Sequence, residues 1–211
     1  MKILLADDHA VVRHGLKQIL ADEFKRASFG EARNAHEAVV TAVRDGADLD
    51  VRFLPFSLDQ AHVEEGESPV WDRQPSEWGT GVTALLYAIA IRDQFPERFL
   101  DFHLAAFAAR HDHGKKLGQE DVVREAVSSA GLDVDAVAEE AWSGRPLKTL
   151  AAEHTEQVDR FQAFGVPTFI EGDQAVFIRF MERNRVDDLE RALGLLDWTR
   201  LNEFKRTQIA R

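Results

Sequence analysis

Short apolar runs of β-forming residues alternate along this chain with longer stretches whose apolar positions recur every three or four residues. Lys2-Ile3-Leu4-Leu5-Ala6 predicts a buried strand, and Val12, Leu16, Ile19 and Leu20 then share one helical face. Ala27-Ser28-Phe29-Gly30-Glu31-Ala32 predicts a second strand, and Asn34 with Glu37 makes a capping-box-like start for a helix faced by Ala38, Val39, Ala42 and Val43. The middle of the chain is helical in pattern. Val82, Leu85, Leu86, Ile89 and Ala90 predict a helix over 80–95, and Phe99, Phe102, Leu104, Ala105 and Phe107 predict a second apolar one. Two shorter helices are predicted over 120–130 and 135–143, closed by Gly131 and Gly144. A helix over 153–164, carrying Val158 and Phe161, leads back to β-forming sequence. There Phe164-Gly165-Val166-Pro167-Thr168-Phe169-Ile170 and Ala175-Val176-Phe177-Ile178 flank Glu171-Gly172-Asp173-Gln174, a hairpin pattern with Pro167 at the head of its first strand. A final helix is predicted over 187–196.

Composition narrows the possibilities. The chain of 211 residues, 45% hydrophobic, is long enough to bury a substantial core as one domain or one domain with a lobe. A net charge of -11 argues against nucleic acid as a partner, because phosphate binding requires clustered Lys and Arg. No apolar run approaches the roughly 20 residues of a membrane-spanning helix. The opening reaches Asp7 and Asp8 too early for a secretory leader, so the cytoplasm is the expected compartment. Cysteine is absent, which removes disulfides, thiolate metal sites and thiol redox chemistry from this chain's own repertoire.

An acid pair at the end of a buried strand is a ligand-facing arrangement. In open α/β sheets ligands lie beyond the carboxyl ends of parallel strands, and Asp7 with Asp8 is a candidate pair for a hard cation such as Mg²⁺, set against a plain solvated acid pair. The run from Lys2 through Asp7-Asp8-His9-Ala10-Val11-Val12-Arg13-His14-Gly15 to Leu20 closely resembles the opening of response-regulator receiver domains, especially those joined to LuxR-type output domains. The resemblance covers about 48 residues. It implies a flavodoxin-like βαβα start and a phosphoacceptor Asp at the end of a third strand. Pro55 of Leu49-Asp50-Val51-Arg52-Phe53-Leu54-Pro55-Phe56-Ser57 stands about there instead, and proline offers no oxygen nucleophile.

From about residue 51 onward the resemblance is different. Gly165-Val166-Pro167-Thr168 ahead of a hairpin resembles the cis-proline loop of thioredoxin-fold proteins, and the longer pattern, with helices before and after, resembles the DsbA family. Val51-Arg52-Phe53-Leu54-Pro55-Phe56-Ser57-Leu58 looks like the strand that follows that family's redox helix, and the helical middle looks like its insertion. The expected architecture is therefore an α/β thioredoxin-like, DsbA-type sheet with a helical insertion and a receiver-like βαβα segment at the N-terminus. The expected parts are 1–50 receiver-like, 51–70 with 151–211 thioredoxin-like, and 71–150 the insertion, all in one compact unit. A chimera joined near residue 50 is the simplest account, since both folds begin with a buried strand and a right-handed crossover, and a natural divergent member of the family is the alternative.

The candidate site residues follow from these resemblances. In DsbA relatives that use glutathione, the loop before the hairpin holds the thiol cofactor's backbone, which points to Val166, Pro167 and Thr168 here. His9 replaces part of the family's Cys-x-x-Cys turn and has no evident orienting partner. The triplet His111-Asp112-His113 reads as a solvated helix end before it reads as a metal site, because adjacent positions diverge. Trp71 and Trp78 read as packing residues, and Phe204 as the docking point of a charged tail. No resident cofactor is expected, with Mg²⁺ and glutathione as the two ligands the resemblances allow. The leading reading is a non-catalytic chimeric or scaffold protein with an unidentified protein partner. The alternatives are a glutathione-type transferase or isomerase and a receiver-like signalling module.

Overall fold

The computed structural model describes residues 51–178, 191 and 194–200, together with the strand backbones of residues 2–6 and 28–32. The chain divides into two compact units, one formed by Met1–Val51 with Val166–Arg211 and the other by Arg52–Gly165.

In the first unit β1 (Lys2–Ala6) pairs in parallel with β2 (Ser28–Ala32), in the register Lys2↔Ser28 to Ala6↔Ala32. A parallel pair requires a crossover between its strands, as the apolar runs at both places predicted. The helices predicted over 12–20, 38–43 and most of 187–196 lie outside the described residues, as do Asp7, Asp8, His9 and the tail at Phe204.

The same unit holds the predicted hairpin. Its strands β3 (Thr168–Glu171) and β4 (Gln174–Phe177) pair antiparallel from Thr168↔Phe177 to Glu171↔Gln174. Only Gly172 and Asp173 remain for the turn, and Gly172 takes φ +58°, the positive value that tight hairpin turns demand at their first central residue. The pairing reaches one step further, because the Ile178 N–H donates to the Pro167 carbonyl at 3.1 Å.

Arg52–Gly165 is helical. A four-residue helix α1 (Leu58–Ala61) precedes α2 (Val82–Gln94), α3 (Phe99–His111), α4 (Glu120–Ser129), α5 (Val134–Ala141) and α6 (Arg145–Phe161), with 3-10 turns at Val70–Asp72, Pro75–Glu77 and Pro96–Arg98. Helix α2 is apolar almost all round, and such a helix is stable only inside a core. It packs against α3, α4, α5 and α6, and its Val82, Leu86, Tyr87, Ile89, Ala90 and Ile91 are buried. Around it Phe102 of α3, Val123 and Val127 of α4, Val137 of α5 and Leu150 of α6 complete the core.

Helix ends follow local chemistry. Asp133 caps α5 by accepting from the N–H groups of Asp135 and Ala136 at 2.9 and 3.0 Å. Asp133→Ala is expected to cost about 1 kcal/mol, read as a lower denaturation midpoint, since it strips two first-turn amides of their acceptor. Gly131 and Gly144 take left-handed φ values of +72° and +83° just past α4 and α5, as expected of glycines that end helices.

Three expectations need correction. Residues 51–57 form no strand among the described residues. Three of their backbone groups, the Phe53 and Pro55 carbonyls and the Ser57 N–H, bond instead to side chains of α2 and α6. Helix α6 begins at Arg145, well before 153, because Pro146 sits in the first turn, where a missing N–H costs nothing. In α3 the inward stripe is Phe99, Phe102, Ala106 and Ala109, while Phe107 is 40% exposed. The helical period sets that stripe, and Phe107 falls off it.

Candidate functional site

The hairpin loop holds three of the residues singled out from the sequence. The Val166–Pro167 peptide bond is cis, Val166 and Pro167 are exposed, and Thr168 is half-buried as the first residue of β3. Sequence order alone places them together. The loop offers main chain, an apolar Val166 side chain and one hydroxyl, but no thiol and no titratable group. Such a surface suits recognition by backbone and shape, and contains nothing to act as nucleophile or base.

His111, Asp112 and His113 are exposed at the end of α3, and no group of three or more His, Cys, Asp or Glu among the described residues could hold a metal. Trp71 and Trp78 pack, as expected. Trp71 lies edge-on to His154, with ring centres 5.7 Å apart. Trp78 stacks on Trp142 and donates from Nε1 to the Val70 carbonyl at 3.0 Å.

The most organised polar site of the helical unit is one the sequence reading passed over. Residues 52–57 run as an extended strap against α6 and α2. Arg92 of α2 donates to the Phe53 carbonyl at 3.1 Å, and Gln157 Nε2 of α6 donates to the Pro55 carbonyl at 3.0 Å. The Ser57 N–H donates to His154 Nδ1 at 3.2 Å. His154 is 4% exposed, and the Phe56 ring centre stands 4.4 Å from its own. Burial pulls the imidazole's pKa below its ordinary value. The bond from Ser57 requires Nδ1 to be unprotonated, so the ring's proton is on Nε2.

Glu153 ties the same elements together by charge. It accepts from Arg92 in two-pronged fashion at 2.7 and 3.0 Å and from Arg52 at 3.0 Å. Arg92 also meets Asp93, which Arg145 contacts from α6 at 2.6 Å. Burial opposes the Asp93 charge, but hydrogen bonds from Arg92 and Arg145 outweigh it and hold its carboxyl below the usual range.

A second polar knot sits where α2, α4 and α5 meet. Tyr87, wholly buried, donates its hydroxyl to Glu120 at 2.5 Å, and Trp142 Nε1 donates to the same oxygen at 3.0 Å. Burial and then the Glu120 bond push the Tyr87 pKa up to about 12. A phenol so held is a structural donor and not an acid for chemistry near neutrality.

One signal for the strap was present in the sequence. Leu150, His154 and Gln157 share the buried face of α6 at spacings of four and three, so two polar residues occupy positions where apolar ones are expected. Buried polar groups require partners, and these two find theirs in the strap.

The comparisons with known proteins bear on the chain as a whole. No curated protein matches it. Residues 32–194 match the family model of the DSBA-like thioredoxin domain. That match takes in the helical unit and the hairpin and begins ahead of residue 51, so residues 32–50 fall within it. With the cis-proline hairpin, a helical unit that comes in chain order after a strand pair and before that hairpin, and a family match over most of its length, the chain belongs to the DSBA-like thioredoxin domain family.

Proposed function

We propose that this chain is a non-catalytic DsbA-like protein, one that keeps the family's hairpin loop as a recognition surface and has given up its chemistry. The observation that carries this reading is the absence of any cysteine from a chain whose Val166–Pro167 loop is intact. Thiol-disulfide exchange proceeds by thiolate attack on a disulfide sulfur, and this chain supplies neither group. In this reading the N-terminal receiver-like run is the remnant of a second ancestry, joined to the DsbA-like part. The parallel pairing of β1 and β2 is compatible with it, although a strand-crossover-strand start is common to both folds. In this reading Asp7 and Asp8 serve no resident Mg²⁺.

The second reading is a glutathione-using transferase or isomerase, favoured by the exposed main chain of the Val166–Pro167 loop. A melting curve with and without millimolar glutathione separates the two. Ligand at about 100 times its dissociation constant adds roughly 2.7 kcal/mol, worth several degrees in a protein of this size. We expect no shift. A rise of several degrees would move the assignment to the thiol-cofactor enzyme, with Val166 as the first position to substitute.

A further inference from the structure

We propose that His154 is an acid-operated latch on the C-terminal end of the strap of residues 52–57: a proton taken up at Nδ1 expels the Ser57 N–H and frees that end of the strap from the ring.

The geometry leaves the proton no other consequence. Nδ1 is the acceptor of the Ser57 backbone N–H, and a protonated imidazole has donors at both nitrogens, so donor would face donor at 3.2 Å. The ring cannot turn to water in place, because it is 4% exposed and lies between Phe56 and Trp71. Nor does a neighbouring carboxylate receive the new charge. The charged groups on what packs against α6 are Arg52 in the strap, Asp72 in the 3-10 turn at Val70–Asp72, Arg92 and Asp93 in α2, and Asp135, Glu139 and Glu140 in α5. None supplies the ring with a hydrogen bond or a charge, and burial by itself sets the direction in which its pKa moves. Glu153, the adjacent acid on α6, is committed to Arg52 and Arg92.

Release is local because the next element is moored separately. Asp59 accepts from the Gly81 N–H at 3.3 Å, its carboxylate lying so close over Gly79 that a Cβ there would collide with it. Gln60 accepts from the Val70 N–H at 2.7 Å. Helix α1 therefore stays with α2 when Ser57 lets go, and with Gln157 on the Pro55 carbonyl and Glu153 on Arg52 the opening is confined to the Phe56–Ser57 end of the strap. The sign of the pH dependence follows. A histidine whose folded pKa lies below its unfolded one favours the latched state fully above the ordinary value near 6.5, and this preference is lost as pH falls from there toward the folded pKa.

The test is hydrogen exchange of the full chain between pH 7 and 5, expressed as protection factors so that intrinsic exchange rates drop out. Protection at the Ser57 amide is expected to fall by up to about tenfold per pH unit below 6.5, with the amides of α4 unchanged. His154→Gln, which keeps an acceptor and cannot titrate, should abolish that slope, while His62→Gln should leave it. Ser57 protection that is flat in the wild type, or that falls in step with α4, would overturn the latch. Should His154→Gln not fold, the imidazole ¹⁵N shifts of the wild-type protein decide. An Nε2–H tautomer whose loss tracks Ser57 exchange supports the latch, and titration at the ordinary pKa with Ser57 still protected refutes it.

Discussion

Phe102→Ala is expected to destabilise the helical unit by about 3–5 kcal/mol, the largest effect of any single truncation proposed for this chain. Phe102 is 1% exposed and belongs to the cluster built round α2, so its removal forfeits the transfer of the ring and leaves a cavity bounded by rigid helices. Helices fixed on several sides cannot collapse into the void. Phe102→Leu keeps most of the volume and should cost less than half as much. Urea denaturation followed by far-ultraviolet dichroism measures both. Equal losses in the two variants would mean that Phe102 is not part of a close-packed core.

The second large effect is expected at Glu153. Glu153→Gln should cost about 2 kcal/mol, because Arg92, 16% exposed, keeps Asp93 as a charged partner but loses the carboxylate that takes two of its hydrogen bonds. A nearly buried guanidinium cannot recover those bonds from water. By contrast Arg52→Ala should cost well under 1 kcal/mol: the Arg52 side chain is 72% exposed and its pairing with Glu153 is screened. Replacing Arg92 and Glu153 together by Met should recover most of the loss, since the penalty comes from guanidinium donors left without acceptors and not from the pair's own worth. A double variant as unstable as the sum of its single variants would show instead that the Arg92 bond to the Phe53 carbonyl carries the stability.

These two positions differ in how far the sequence disclosed them. Phe102 lies on an apolar stripe that recurs at helical spacing, and burying such a stripe is the cheapest way to satisfy it. Glu153 carries no such mark. An acid on a helix rich in charge usually faces water, and only the approach of α2 and the strap from elsewhere in the chain makes this one half of a buried pair. The same distinction explains Phe107, which the sequence places among the apolar residues of a predicted helix and which the helical phase of α3 turns outward.

What the sequence by itself determined is everything that depends on neighbours in the chain. The glycine-containing turn, the proline at the head of β3, the alternation of apolar residues on either side and the absence of cysteine identify the hairpin, its family and the missing chemistry, because turn geometry and thiol content are local properties. Only the tertiary structure decided the fate of residues 52–57. Their apolar, β-forming composition predicts a strand, but a strand requires a neighbour, and the partners that satisfy this backbone, His154 and Gln157, stand 97 and 102 positions away on a helix. Whether an extended segment joins a ladder or is held by side chains depends on which polar groups packing brings to it, and packing is a property of the whole unit.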